Sequence, residues 1–241
     1  MSNKNIFVFG GTGSIGSALS KKLIENKYSP IIISRNENDL KKLLDEINCE
    51  YRVCDVLDYE NVKKISDEFN DDLFGIAYCA GSINLKPLKM TKDDEFIDSF
   101  KVNTLGAVNA IKYNQDALSK NNWSILLFST IAVKQGFTNH AIVSTAKGAI
   151  EGLTLSLAAE FAPKIKVNCI APSLTDAKMT QKLVSNENIK KAIENMHPIP
   201  KIGAGDDFSD IGSYLLSEKN NWITGQIFHI DGGRSTLRIK S

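Results

Sequence analysis

The stretch NHAIVSTAKGAIEGL, residues 139–153, places a histidine and a lysine seven residues apart on a segment that is otherwise apolar or small. At about 100° per residue in a helix, His140 and Lys147 return to nearly the same face, two turns apart. A lysine on a helix built for burial needs a reason. An imidazole, with an ordinary pKa of about 6.5, is a competent acid at neutral pH, although a nearby Lys147 ammonium favours its neutral form. Position 143 lies on the same face one turn before the lysine and holds a valine, which has no proton to give. The plainer reading of His140 is a half-exposed residue at a helix start, with Thr138 and Asn139 supplying the cap.

A second chemical signal stands at the other end of the chain. FGGTGSIG, Phe9 to Gly16, follows a strand-like run and precedes a helical pattern. Strand, glycine turn and helix together suit a dinucleotide: Gly10 for the tight turn, Gly13 for backbone approach to a diphosphate, and Gly16 for close packing of the helix on the sheet. Ser14 and Ile15 complete the candidate cradle. The next strand ends in Ser34 and Arg35, where an NAD site usually carries an acidic residue for the ribose 2′-hydroxyl. A hydroxyl beside a guanidinium suits a 2′-phosphate instead, so NADP(H) is preferred and NAD(H) remains open. The alternative is a solvated Arg35 paired with Glu37. Asp55, with Val56 after the third strand, could accept from an adenine amino group, or Asp55 could merely cap a helix.

The elements that must position these groups follow from periodicity. Strand-like runs at Ile6–Phe9, Ile31–Ser34, Tyr51–Val53, Phe74–Tyr78, Ile125–Phe128, Lys166–Ile170 and Ile227–Ile230 alternate with helical patterns. The helices are expected near 15–26, 38–47, 59–69, 92–118, 140–161 and 206–217. The strands are apolar runs, as they are when helices cover both faces of a parallel sheet. The pattern predicts an α/β fold, a doubly wound parallel sheet of Rossmann type, with its ligand crevice at the C-terminal ends of the strands.

Composition narrows the rest. A chain of 241 residues, 42% hydrophobic, is long enough for one substantial core, and no linker or repeat divides it, so residues 1–241 are read as one domain. A net charge of +1 gives no ground for a nucleic-acid partner. No stretch approaches the roughly 18 apolar residues of a membrane span, and the N-terminus has no apolar leader-like run, so a cytoplasmic protein is expected. Cys49, Cys54, Cys79 and Cys169 lack C-x-x-C spacing and read as reduced thiols. His140, His197 and His229 lack ligand spacing, so no metal is expected.

With these pieces in order, the chain resembles the short-chain dehydrogenase/reductase family over essentially its whole length. The motifs that carry the resemblance are WITGQIFHIDGG (222–233), VNCIAP (167–172), VNT (102–104), HPIPKIG (197–203), DIGSYLL (210–216) and KGAIEGL (147–153). The resemblance implies that Lys147 holds the nicotinamide ribose and that Asn103 serves structure and proton relay. It further implies that Thr130, with Ser129 beside it, orients the substrate oxygen, and that Ala80, Gly81, Pro172 and Thr175 border the cofactor. It also implies a substrate lid around 173–200, including LTDAKMT (174–180), and subunit packing through the helices at 92–118 and 140–161, hence a homo-oligomer, dimer or tetramer.

The sequence departs from the family where the chemistry is done. The family's catalytic tyrosine is replaced by Val143, the Asn-Asn-Ala-Gly after the fourth strand reads YCAG, and Ala177 stands where a threonine is expected. In enoyl reductases of the same superfamily the tyrosine stands seven residues before the lysine, which is the slot of His140. Two functions remain. One is an NADP(H)-dependent oxidoreductase acting on a small carbonyl, alcohol or enoyl substrate. The other is a cofactor-binding regulatory or partner protein with little or no turnover.

Overall fold

The computed structural model describes residues 4–69 and 72–238. Seven strands form one parallel sheet: β1 (Asn5–Phe9), β2 (Ser29–Ser34), β3 (Glu50–Val53), β4 (Leu73–Tyr78), β5 (Ser124–Phe128), β6 (Lys166–Pro172) and β7 (Ile227–Ile230). Their order across the sheet is β3-β2-β1-β4-β5-β6-β7. The chain therefore winds outward one way from β1 and then the other way from β4, and the crevice between those two strands is the topological switch point where ligands sit in such sheets. Parallel register at this seam pairs Phe7 with Ile31 on one side and with Ile76 on the other.

Period-two alternation sorts the strand residues into two cores. Phe7, Phe9, Ile31, Ile76, Tyr78, Ile125, Leu127 and Val167 face one helical layer. Ile6, Val8, Ala77, Leu126 and Ile170 face the other, against Leu19, Phe208 and Leu216. Because both faces are covered, the central strands can be apolar throughout. The helices are α1 (Ser14–Glu25), α2 (Glu37–Leu44), α3 (Tyr59–Glu68), α4 (Asp93–Phe100), α5 (Gly106–Lys112), α6 (Gln115–Asn121), α7 (Ala141–Phe161), α8 (Gln181–Val184), α9 (Glu187–Glu194) and α10 (Asp206–Leu216).

Most element ends fall within one residue of those expected, but β2 begins two residues earlier, at Ser29, α2 ends at Leu44 rather than 47, and three further differences have a visible cause. β6 runs two residues further, to Pro172, because β7 pairs with it to the end and matches Pro172 with Ile230. The segment read as one helix at 92–118 is broken twice. A π-helical stretch, Lys101–Leu105, joins α4 to α5, with the Gly106 amide bonding five residues back to Lys101. There the Asn103 side chain donates to the Ser99 carbonyl at 2.9 Å, competing with the backbone ladder. Asn114 repeats the device between α5 and α6, donating to the Ala110 carbonyl and the Ser66 hydroxyl, both at 2.8 Å.

Candidate active site

The glycine turn leaves β1 beside the end of β4. Gly10 takes a left-handed conformation (φ +72°), and a Cβ there would lie 2.6 Å from the Ala80 amide nitrogen. Glycine is thus required twice over, by backbone angle and by the contact that closes the β1–β4 seam. Gly16 is required too, although not for packing on the sheet as expected: its Cβ would strike the Gly10 carbonyl oxygen at 2.6 Å, so α1 is pressed against the turn itself. Gly13 is the N-cap of α1 and gives its first turn no side-chain cap. The amides of the first turn, at Ser14, Ile15 and Gly16, lack intrahelical acceptors by construction and suit an anion.

Around the turn, the Ser34 hydroxyl bonds the Thr12 hydroxyl at 2.8 Å, which ties the tip of β2 to the glycine loop. Thr12 carries no signal in the sequence, since its partner comes from another strand. Arg35 is exposed, and Glu37 pairs with Lys41 at 2.8 Å rather than with Arg35. Among the described residues no ion pair holds the Arg35 guanidinium. Asp55 does not cap a helix: one carboxylate oxygen accepts from the Leu57 amide at 2.9 Å, and Asp58 caps α3 instead. Val56 packs on the core beside it.

Lys147 lies on α7 with its ammonium donating to the Phe128 carbonyl at 2.8 Å. A Cβ at Gly81 would come within 3.4 Å of that ammonium and 2.8 Å of the Asn103 side-chain oxygen. The fold thus brings Lys147, Gly81 and Asn103 together, with Asn103 also accepting from the Ser82 amide at 3.3 Å. Among the described residues no carboxylate forms an ion pair with the lysine, and burial pulls its pKa down from 10.5 to about 8. The same burial pushes the Cys79 and Cys169 thiols, which feel the Lys147 charge, up to about 12. All four cysteines are free. Val143, one turn before Lys147, is only 4% exposed and adds no polar atom.

The two hydroxyls after β5 separate. Ser129 is buried and donates to Glu151 on α7 at 2.7 Å, so its proton is committed to the helix. Thr130 accepts from the Ala132 amide at 3.3 Å, and among the described residues nothing takes its own proton. His140 is itself the N-cap of α7 and no side chain caps the helix, contrary to the cap expected from Thr138 and Asn139. Asn139 instead takes a left-handed φ of +66°. The Thr138 carbonyl lies 2.7 Å from Nδ1 of His140. A carbonyl can only accept, so Nδ1 carries the proton and Nε2 is the free nitrogen. The half-buried ring packs on Phe137, with centroids 5.3 Å apart.

Pro172 closes β6, buried. Thr175 spends its hydroxyl on the Ser173 carbonyl at 3.1 Å, although its oxygen can still accept. Beyond it the 173–200 segment folds as α8 and α9 and is pinned by His197, which is buried. Nδ1 of His197 donates to the Ile193 carbonyl and Nε2 accepts from the Ser173 hydroxyl, both at 2.8 Å. Lys178 of the same segment reaches across to Asp39 on α2 at 2.8 Å. Among the described residues no helix is long and apolar enough to cross a membrane.

Comparison with known proteins covers nearly all of this architecture. A family model described as enoyl-(acyl carrier protein) reductase matches residues 10–235. The 3-oxoacyl-[acyl-carrier-protein] reductase FabG of Aquifex aeolicus is 27% identical over 244 aligned residues, covering 97% of this chain and 98% of that protein. Carbonyl reductase family member 4 of Danio rerio is 27% identical, with 95% and 97% covered. The structure of ElxO with NADP bound superimposes with a TM-score of 0.91 at 29% identity, covering 98% of this chain and all of that one. Such coverage, on a sheet of this order with its glycine turn at the switch point, makes the chain a member of the short-chain dehydrogenase/reductase family.

Proposed function

We propose that the protein is an NADP(H)-dependent oxidoreductase acting on a small carbonyl, alcohol or enoyl substrate, with Val143 in the place of the family's tyrosine. The observation that carries the reading is the Lys147 ammonium, partly buried beside Gly81, with no ion-paired carboxylate among the described residues, and across the β1–β4 seam from an uncapped helix start. Such an ammonium has unused donors for ribose hydroxyls. The left-handed Gly10 and the free first-turn amides of α1 form a cradle that a diphosphate fits. When bound, the nicotinamide supplies the hydride.

This chain's own residues do the rest. Ser14, Ile15 and Gly16 bind the diphosphate through backbone amides, Ser34 and Arg35 take the 2′-phosphate, and Asp55 and Val56 border the adenine. Ala80, Gly81, Pro172 and Thr175 flank the nicotinamide half. Thr130 orients the substrate oxygen with its free proton, and Asn103 keeps the Lys147 region in register through Ser82 and Ser99. His140 passes the proton at Nε2, the nitrogen its Thr138 bond leaves free. Holding a hydride donor and acceptor in one geometry lowers the barrier substantially even where acid catalysis is weak. The 173–200 segment serves as lid, and the working unit is a homo-oligomer.

Val143 favours a second reading, a cofactor-binding regulatory or partner protein with little turnover. Side-by-side calorimetric titration with NADPH and NADH tests both. Tight, NADPH-selective binding followed by turnover in a carbonyl and enoyl screen is the expected result. Binding without turnover selects the second reading, and binding of neither nucleotide removes both.

A further inference from the structure

Arg234 follows β7, far in sequence from His140 and Lys147, yet two other segments converge on it. Its guanidinium carbon lies 4.6 Å from the centroid of Phe137, the ring against which His140 packs. One of its nitrogens lies 3.4 Å from the Met196 sulfur, at the end of the 173–200 segment. The turn that presents it is fixed by Asp231, whose carboxylate accepts from the Gly233 and Ser235 amides at 2.9 and 2.8 Å. The Arg234 amide closes the turn onto the Asp231 carbonyl at 3.2 Å.

The arginine is half-buried, and among the described residues no carboxylate forms an ion pair with it. Asp231 is the acid whose field reaches it, but both Asp231 oxygens already hold backbone amides. Burial without a pair costs the guanidinium, and its pKa is drawn below the usual value for that reason. A ring face and a thioether steady the plane while leaving most of its N–H donors unused. A sulfur is a weak acceptor, and five donors in a rigid fork match a carboxylate.

We infer that Arg234 anchors the carboxylate of an anionic substrate at the rim of the candidate active site, opposite His140. The inference rests on the oxidoreductase reading for what happens at the other end of that substrate. The two ring contacts laid end to end put the guanidinium no more than about 10 Å from the His140 ring. Subtracting a hydrogen bond of about 3 Å at each end leaves room for a short connection only. The substrate class is therefore a short oxo acid, its carboxylate a few carbons from the reacting carbonyl.

The test is binding of 4-oxopentanoate and of its methyl ester, read by ligand-observed NMR with and without NADPH, and accompanied by an NADPH titration of each variant. Wild type should prefer the acid to the ester by about tenfold or more, the worth of one charge-assisted pair. Arg234→Met keeps the packing on Phe137 and Met196, and it should erase the preference while leaving ester binding unchanged. Arg234→Lys keeps the charge but not the fork and should retain part of the preference. Should the Met variant melt early, Arg234→Gln takes its place. Equal affinity for acid and ester in wild type, or a preference that survives loss of the arginine, overturns the inference. An arginine-dependent preference in a protein that binds no NADPH supports the anchor and overturns the oxidoreductase reading, so the two failures are distinct.

Discussion

Replacing Lys147 with methionine should stabilise the protein at neutral pH while weakening its hold on NADPH. The lysine's pKa falls from 10.5 in the unfolded chain to about 8 in the fold. That difference corresponds to about 3 kcal/mol of penalty on the charged form. Lys147 as a residue is only half-buried, and solvent entering through the crevice reduces the figure to about 2 kcal/mol. Loss of the bond to the Phe128 carbonyl takes back about 1 kcal/mol. The net gain below pH 8 is about 1 kcal/mol, or roughly 2–4 °C in melting temperature for a chain of this length. The pH dependence isolates the electrostatic part. Between pH 8 and 10.5 the unfolded lysine holds a proton that the folded one has lost, so wild-type stability rises with pH across that window. The advantage of Lys147→Met should therefore shrink by about 2 kcal/mol from pH 7.5 to 10.5 and reverse sign near the top. Parallel thermal melts of both proteins across that range are the assay, because other titrating groups cancel in the difference. A difference that is flat with pH would refute the argument, whatever its size. Retention of full NADPH affinity would remove the assigned ribose contact.

Three other substitutions address the remaining roles. If His140 passes the proton, His140→Phe should lower turnover by about 10²-fold or more with cofactor affinity intact; a variant with full rate eliminates it. Arg35→Asp should shift nucleotide preference from NADPH toward NADH in paired titrations, and an unchanged ratio makes Arg35 a bystander. Gly10→Ala should cost about 2–4 kcal/mol by chemical denaturation, since the left-handed backbone and the overlap with Ala80 both resist a methyl group. A loss below about 0.5 kcal/mol would mean that the β1–β4 seam is looser than described.

The sheet was legible because its strands are apolar runs bounded by turn residues, and observed and expected ends agree within two residues. The breaks in the 92–118 helix were not legible. Asn103 and Asn114 bond carbonyls four residues back while also bonding Ser82 and Ser66, partners that come from elsewhere in the chain. The glycine turn, Lys147 and Asn103 could be located by motif, yet the sheet packing expected of Gly16 was not found, because its neighbour is the turn and not a strand. Thr130 could be placed by resemblance, but that the neighbouring Ser129 hydroxyl is committed to Glu151, 22 residues further along, could not be read. Arg234 gave no signal at all, since Phe137 and Met196 meet it from two other segments.

The π-helical stretch at Lys101–Leu105 also bears on how such a site is gained or lost. One extra residue within a helix turns everything downstream by about 100°, so α4 and α5 address different neighbours although they are nearly continuous. The stretch is equivalent to a single-codon insertion that a plain helix could have absorbed, and its removal would restore regular winding. Deletion of one residue there would swing Asn103 away from Ser82 and Gly81 while the sheet, the glycine turn and Lys147 stayed where they are. The genetic distance between a chain with this polar cluster and one without it is thus a single codon, and length variation at this position is a marker of function to seek among relatives.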